Sequence, residues 1–382
     1  MAIASPSPRA ARTSREYRAL ADLLAPADVA LDGKRPWDLV VHDPHFATRV
    51  FAEGSLGAGE SYMDGWWDCE QLDEMLARVL RSNLDRRLHA AGVLGTALLA
   101  RLRNPQSRRR AFIVGEKHYD VGDDLFERML DPRMIYSCGY WPHAADLAAA
   151  QEHKLDLVCR KLGLERGMRV LDIGCGWGGA AQFAAERYGV EVTGITVSKH
   201  QAAAAAGRCK GLPVEIRLED YRRLQGRFDR IWSLGMFEHV GVRNYRTYLR
   251  TVRRLLAPDG LFLLHTIGSN VSVRTTDPWI EKYIFPNSML PSIAQIARAA
   301  ESLWVVEDWH GFGPFYDRTL LAWYRNFEAR WAEIAATYGE RFRRMWRFWL
   351  LSSAASFRAR RNQLWQIVLS PEGVAGGYRA VR

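Results

Sequence analysis

Residues 168–267 alternate between short apolar runs and helix-like segments, and no other feature restricts the possible folds of this chain as strongly. MRVLDI (168–173), VEVTGIT (190–196), VEIRLE (214–219), FDRIWSL (228–234) and LFLLHTI (261–267) read as strands, rich in large and β-branched apolar residues. Helical segments at 180–188, 199–208 and 244–256 lie between them. Strands joined through helices run parallel, because each crossover returns the chain to the same end of the sheet. The expected fold is α/β, a parallel sheet with helices on both faces. Ligands of such sheets sit beyond the carboxyl ends of the strands.

The first strand runs directly into LDIGCGWGG (171–179). Gly174, Gly176 and Gly179 match GxGxxG, a pattern that is weak by itself. Two features oppose a dinucleotide. The second strand ends in GITVS, without the acid that would take a ribose diol. Asp172 instead stands two residues before the first glycine, where a carboxylate repels a pyrophosphate and suits a cationic amine. S-adenosylmethionine meets those terms: it carries an ammonium, a sulfonium and no phosphate, and glycines let the backbone approach it closely. The plain alternative is a glycine turn that only packs helix on strand.

A chain of 382 residues suits two domains. Residues 1–15 read as a disordered tail. They lack the apolar block of a secretory signal, though their Arg- and Ser-rich, acid-poor composition also fits a transit peptide. Residues 16–100 are expected to form a smaller, mainly helical N-terminal domain. Residues 101–116, with Pro105 and Arg108–Arg110, read as a linker, and 117–382 as the domain that carries the sheet. No run approaches the ~18 apolar residues of a membrane span. Cys69, Cys138, Cys159, Cys175 and Cys209 include no CxxC pair, so neither a disulfide framework nor a metal site is expected, and a reducing cytoplasm fits. The net charge of +10 favours an anionic partner, either nucleic acid or a phospholipid surface. No nucleic-acid recognition motif is visible.

Longer strings narrow the reading. HYDVGDDLFERMLDPRMIYSCGYW (118–141), GITVSKHQ (194–201), FDRIWSLGMFEHVG (228–241), LLHTIGS (263–269), DPWIEKYIFPN (277–287) and EDWHGFGPFYDRTLLAWYRNF (307–327) occur in that order. With EGSLGAGESYMDGWWDC (53–69), they make the chain closely resemble bacterial cyclopropane-fatty-acyl-phospholipid synthases from about Tyr17 to the C-terminus. The resemblance implies a Rossmann-like class I S-adenosylmethionine methyltransferase sheet. It also implies transfer of a methylene group from S-adenosylmethionine to the cis double bond of an unsaturated acyl chain in a membrane phospholipid, with bound bicarbonate as base. The family's bicarbonate ligands map onto Cys138, Glu238, His265, Ile267 (through its backbone) and Tyr316. Cofactor positions map onto Tyr136, Ser137, Gly174, Cys175, Gly176, Trp177, Gly178, Thr196, Gln201, Asp220 and Tyr221, beside the Asp172 already singled out. Gln201 stands in for the missing ribose carboxylate, and Asp220 lies where an adenine amino group would be met. Many relatives carry a cysteine, often treated as an active-site residue, where this chain has Ser353.

The chemistry asks for such a set. Methyl addition to an alkene leaves a carbocation, which water would quench, so the site must be dry. Aromatic faces stabilise cations, and Tyr140, Trp141, Trp279, Tyr283, Phe285, Tyr316 and Trp323 are candidates to line the slot. Read singly, each catalytic residue has a structural rival: Glu238 as a helix cap or surface pair, His265 as a core histidine, Cys138 as an inert thiol, Tyr316 as packing. By the same resemblance the first domain helps to bind lipid, and the protein is a homodimer in the cytoplasm, peripherally attached to the inner membrane. Arg108–Arg110, Arg341–Arg347, Arg358–Arg361 and the 14 tryptophans would serve that attachment, if they are not simply solvated faces and core. Rival activities are methylation that leaves a branched lipid or a methylated small amine, and a catalytically dead lipid-binding module.

Overall fold

The computed structural model describes residues 12, 14–84 and 122–382. Most of the expected tail and the whole expected linker, Arg108–Arg110 included, lie outside the described residues. The chain divides into two compact units.

The larger unit comprises Asn104–Thr276, Pro286–Phe327 and Asn362–Arg382. Its sheet has seven strands: β1 (Arg169–Ile173), β2 (Glu191–Thr196), β3 (Val214–Leu218), β4 (Phe228–Leu234), β5 (Leu256–Ser269), β6 (Val305–Gly311) and β7 (Asn362–Ser370). They lie in the order β3-β2-β1-β4-β5-β7-β6. The first five run parallel, and β7 is antiparallel to both β5 and β6. This is the class I methyltransferase sheet, with helices on both faces.

Alternate residues of each strand face opposite sides of the sheet. Phe262 and Leu264 join Leu171, Ile173 and Ile231 in a core under helices Tyr245–Leu255 and Ile293–Ala300. Leu261 and Leu263 join Val170, Val192 and Trp232 under helices Leu147–Lys161 and Gly179–Tyr188. Burial on both faces is why the strands read as unbroken apolar runs and not as an alternation. The same parity puts Asp172 and His265 on the second face, below helix Leu147–Lys161, at the carboxyl edge.

The smaller unit comprises Met1–Arg103, Asp277–Phe285 and Glu328–Arg361. Two segments expected within one continuous 117–382 domain therefore belong with the N-terminal region. Aromatic packing explains it. Phe348, on the helix Ala335–Arg358, lies 5.5 Å from Tyr62 and 4.8 Å from Trp279, ring centroid to centroid. A Cβ at Gly59 would come within 2.4 Å of Trp279, so only glycine admits the indole. Buried Glu60 accepts hydrogen bonds from Lys282 Nζ (2.5 Å) and Tyr283 Oη (2.7 Å) and pairs with Arg49. Burial alone would raise its pKa, but these donors win and hold it down at about 2. Four of the arginines of 341–361 pair with acids, Arg341 with Asp64 (3.0 Å), Arg343 with Glu328 (2.5 Å), Arg344 with Asp68 (2.7 Å) and Arg358 with Asp73 (2.6 Å), whereas Arg361 donates to Leu80 O. No described helix is long and apolar enough to cross a membrane.

Replacing Glu60 by Gln strands one or two of these cations, and should cost on the order of 3 kcal/mol in urea unfolding. Because the folded pKa is depressed, the parent's advantage is present above about pH 4.5 and fades as pH falls toward 2. Unfolding curves for both proteins across that window check the sign.

Candidate active site

β1 ends at Ile173, and the chain turns sharply through Gly174 (φ +88°), Gly176 (+53°) and Gly178 (+83°) before the helix at Gly179. Side chains rarely adopt such angles, and a Cβ at Gly174 would also press on Met236 at 2.9 Å. The amides of Gly174 and Cys175 both donate to Ile195 O on β2, at 2.9 and 3.0 Å, which locks the turn. Nothing lies within 4 Å of where a Gly176 Cβ would stand, because a cavity of about 200 Å³ opens there.

Tyr136 and Ser137 line this cavity on one side, with Asp172, Gly174, Cys175, Gly176 and Trp177 from the β1 end. Thr196 and Gln201 line it after β2, and Asp220 and Tyr221 after β3. Of the expected cofactor residues, Gly178 alone is absent from the wall. Its carbonyl faces Cys209 Sγ at 3.7 Å, and a Cβ there would touch Ala205 at 3.0 Å, so it serves helix packing.

Asp172 is 1% exposed and its Oδ2 has no hydrogen-bond partner. Burial pushes its carboxyl up to about 7, against the pull of the Trp232 indole and the Lys154 ammonium. An orphaned buried carboxylate oxygen in a cavity wall fits a cationic, phosphate-free ligand such as S-adenosylmethionine. Thr196 Oγ1 donates to Gln201 Oε1 at 3.0 Å, which turns the amide NH2 the other way as a donor. Asp220 is gripped by Arg222, whose Nε (2.8 Å), Nη2 (2.5 Å) and backbone N–H (2.9 Å) all donate to its carboxylate. An adenine amino group would share Asp220 with that guanidinium. Arg222 and Lys154 were not singled out from sequence. An Arg two residues after an acid is the only local signal for the first; for the second, a lysine amid the apolar positions of a helix was the signal.

The second half of the site adjoins the first across β4 and β5. Leu234, the last residue of β4, pairs with His265, and β5 runs on from there to Ser269. Glu238, on the short turn Phe237–His239 after β4, accepts from Ile267 N–H of β5 at 2.7 Å. His265 lies two residues before Ile267 on β5, with its side chain on the same face as that of Ile267. Both Glu238 and His265 are buried, and among the described residues Glu238 Oε2 and His265 Nε2 have no hydrogen-bond partner. Burial pushes Glu238 up to about 7, against the Ile267 N–H bond. Burial, with Lys154 and Lys161 nearby, pushes His265 well below its ordinary range, so the ring is neutral. Gln366 Nε2 stands 3.4 Å from His265 Nδ1 in the assigned amide orientation, which leaves the ring proton on Nε2.

Cys138 is fully buried with its thiol pushed up by burial, 3.8 Å from Thr319 Oγ1. Tyr316 is pushed up by burial, with the nearby Cys138 and Glu238 adding to the effect. Its ring packs on Trp323 (5.9 Å), and Trp323 on Tyr136 (5.3 Å), so an aromatic wall links the two halves. Tyr140 packs instead on Phe312 and Phe315, and Trp141 Nε1 donates to Thr319. Trp279, Tyr283 and Phe285 belong to the smaller unit, where Trp279 and Tyr283 pack as above and Phe285 meets Trp349 (5.8 Å). Ser353 also lies in that unit, half-buried on the helix Ala335–Arg358.

Residues 106–367 match the family model described as mycolic acid cyclopropane synthetase. The chain belongs to the mycolic acid cyclopropane synthetase family. Among its relatives, it is 55% identical over 368 residues to the cyclopropane-fatty-acyl-phospholipid synthase of Escherichia coli (strain K12), covering 96% of both chains. It is 34% identical to the tuberculostearic acid methyltransferase UfaA1 of Mycobacterium tuberculosis, over 90% of this chain and 85% of that one. Among solved members, the cyclopropane synthase MmaA2 from Mycobacterium tuberculosis superposes with TM-score 0.64 at 31% identity, covering 68% of this chain and 97% of that one. The mycolic acid cyclopropane synthase CmaA1, complexed with SAH and CTAB, gives 0.63 at 32%, with the same coverage.

Two expectations follow for this member of the family. Asp172→Asn should weaken S-adenosylmethionine binding about 10- to 100-fold by calorimetry, the worth of one charge-assisted bond. Glu238→Gln should stabilise the ligand-free protein. A carboxyl with a raised folded pKa supports folding below about pH 4.5 and loses that support as pH rises through 7. The amide escapes that loss, so unfolding of the variant should be harder than the parent's by on the order of 3 kcal/mol at pH 8, and equal to it near pH 5.

Proposed function

We propose that the chain transfers a methylene group from S-adenosylmethionine to the cis double bond of an unsaturated acyl chain in a membrane phospholipid, giving a cyclopropane ring and S-adenosylhomocysteine, with bound bicarbonate as base. The observation that supports this reading is two buried groups on neighbouring strands: Glu238 Oε2, an acceptor, and His265 Nε2, a donor, both without hydrogen-bond partners among the described residues, with the Tyr316 and Trp323 rings packed on one another nearby. Identity of 55% across nearly the full length to a phospholipid cyclopropane synthase supports the substrate class.

S-adenosylmethionine supplies an electrophilic methyl group when bound; the chain's residues do the rest. Asp172 takes the ammonium, Gln201 the ribose, and Asp220, steadied by Arg222, the adenine. Tyr316 and Trp323 offer ring faces to the cation that forms on the acyl chain, worth around 2 kcal/mol or more when dry. Neutral His265 donates from Nε2 to a small anion, and burial keeps water from competing. Glu238 Oε2, poised near neutrality, is placed to take on from the bicarbonate the proton that leaves as the ring closes. The Ile267 amide expected to hold the anion is donated to Glu238, so it orients the proton acceptor.

The chain is further proposed to act as a cytoplasmic homodimer, peripherally bound to the inner membrane. Since Arg341, Arg343, Arg344 and Arg358 already pair with acids of their own unit, the membrane term rests on the remaining basic residues. Binding to anionic vesicles should weaken steeply between 50 and 300 mM salt, about 1 kcal/mol per engaged basic residue being at stake; salt-independent binding rejects the electrostatic part.

Expression in a host that makes unsaturated phospholipids but no cyclopropanes tests the activity. Fatty acids should gain one CH2 and lose the alkene. A methyl branch without a ring would favour the tuberculostearic acid type of reaction, and unchanged lipids would reject both. Glu238→Gln and His265→Ala should each lower turnover at least 100-fold.

A further inference from the structure

Lys154 stands on helix Leu147–Lys161 and none of its surface reaches solvent. Its Nζ donates to Ser137 Oγ at 2.9 Å. One turn earlier on the same helix face, Gln151 Nε2 donates to Ser137 O at 2.7 Å. The two side chains thus pin the Tyr136–Ser137–Cys138 segment, which carries residues of both halves of the site. Lys154 also lines the cofactor cavity itself.

A buried ammonium needs charge around it. Four titratable groups face this one. Asp131 and Cys138 come from the segment before the helix, Asp172 from β1 and His265 from β5. Burial pushes Lys154 down to about 8, the three acidic groups opposing. The parity of the strands agrees with this, since Asp172 and His265 occupy the sheet face that helix Leu147–Lys161 covers. Asp131 is already engaged by the amides of Arg133 and Ile135. Asp172 Oδ2 and His265 Nε2 are the unpartnered atoms, so the field of the ammonium falls on the two groups that await ligands.

We propose that Lys154 is a positioning residue shared by both halves of the site: pinned to Ser137, its ammonium keeps Asp172 ionised for a cationic donor and His265 neutral for an anion. This rests on the reading of the cavity as an S-adenosylmethionine site. Three carboxylates, Asp172, Glu219 and Asp220, line the pocket against two cations, Lys154 and Arg222, which leaves one net negative charge. That complements S-adenosylmethionine, net positive by one, and not the neutral S-adenosylhomocysteine.

The test is calorimetric binding of S-adenosylmethionine to the full chain from pH 6 to 9, for the parent, Lys154→Met and Lys154→Arg. Parent affinity should fall as pH drops through about 7, where Asp172 takes up a proton. In Lys154→Met that midpoint should move up by about one pH unit, with affinity recovering toward the parent's near pH 9. Lys154→Arg should keep the parent midpoint. An even loss of affinity at every pH, the mark of a packing role, or an unmoved midpoint overturns the proposal. Absence of parent binding at any pH overturns the cofactor reading, and this inference with it. Should Lys154→Met fail to fold, the parent alone decides. The chain has seven lysines, and [ε-13C]lysine spectra should show two titrating near 8, Lys154 and Lys161, of which one shifts when S-adenosylmethionine is added. Two low-titrating signals both indifferent to the ligand overturn it.

Discussion

Water is withheld from four ionisable side chains at one edge of an apolar sheet, and the rest of the site follows from that constraint. Asp172, Glu238, His265 and Lys154 are all buried, and each is displaced from its ordinary titration range by burial first and by its neighbours second. In water these groups would be solvated, independent and unremarkable as acids or bases. Here the Lys154 ammonium bears on the protonation of Asp172 and His265, and unpartnered atoms are left among the described residues where ligands would complete them. The sheet makes the arrangement affordable because its inner strands are packed on both faces, and each fully buried Leu, Ile or Phe contributes roughly 1.5–3 kcal/mol.

That layout divides the labour between backbone and side chain. The glycine turn after β1 offers an open surface because its own amides are spent on Ile195. The β4–β5 pairing places a carboxylate and an imidazole from segments nearly 30 residues apart on neighbouring strands, with the Ile267 N–H fixing Glu238 Oε1. Tyr316 and Trp323 arrive from the helix Pro314–Ala329 and turn ring faces toward both halves. Each device orders one partner and leaves another unpaired, which is the stored asymmetry that binding would relieve.

Much of this was legible in sequence because it is local. β1 to β4 begin and end within a residue or so of the expected apolar runs, and the helices between them follow the same rule. β5 starts earlier than expected, at Leu256, across a register irregularity opposite Phe228 and Arg230. β6 and β7 were not read as strands: VVEDWHG carries two acids and a solvent-exposed start, and NQLWQIVLS pairs with a strand about a hundred residues before it. The joint presence of Glu238 and His265 came from recognisable strings, whereas the burial that makes them chemically useful is tertiary. Lys154 and Arg222 escaped notice because a lysine amid the apolar positions of a helix, or an arginine two places after an acid, is only a weak local signal.

The smaller unit is stitched from three stretches, the last ending at Arg361. Phe348 and Trp279 complete an aromatic core whose first members, Tyr62 and Trp67, are synthesised some two hundred residues sooner. On the ribosome, then, the leading stretch must wait with its greasy face uncovered while nearly the whole protein is translated. A gene fragment encoding only the first hundred residues would yield a polypeptide lacking half of its own interior, one more prone to chaperone capture or clumping than to independent folding.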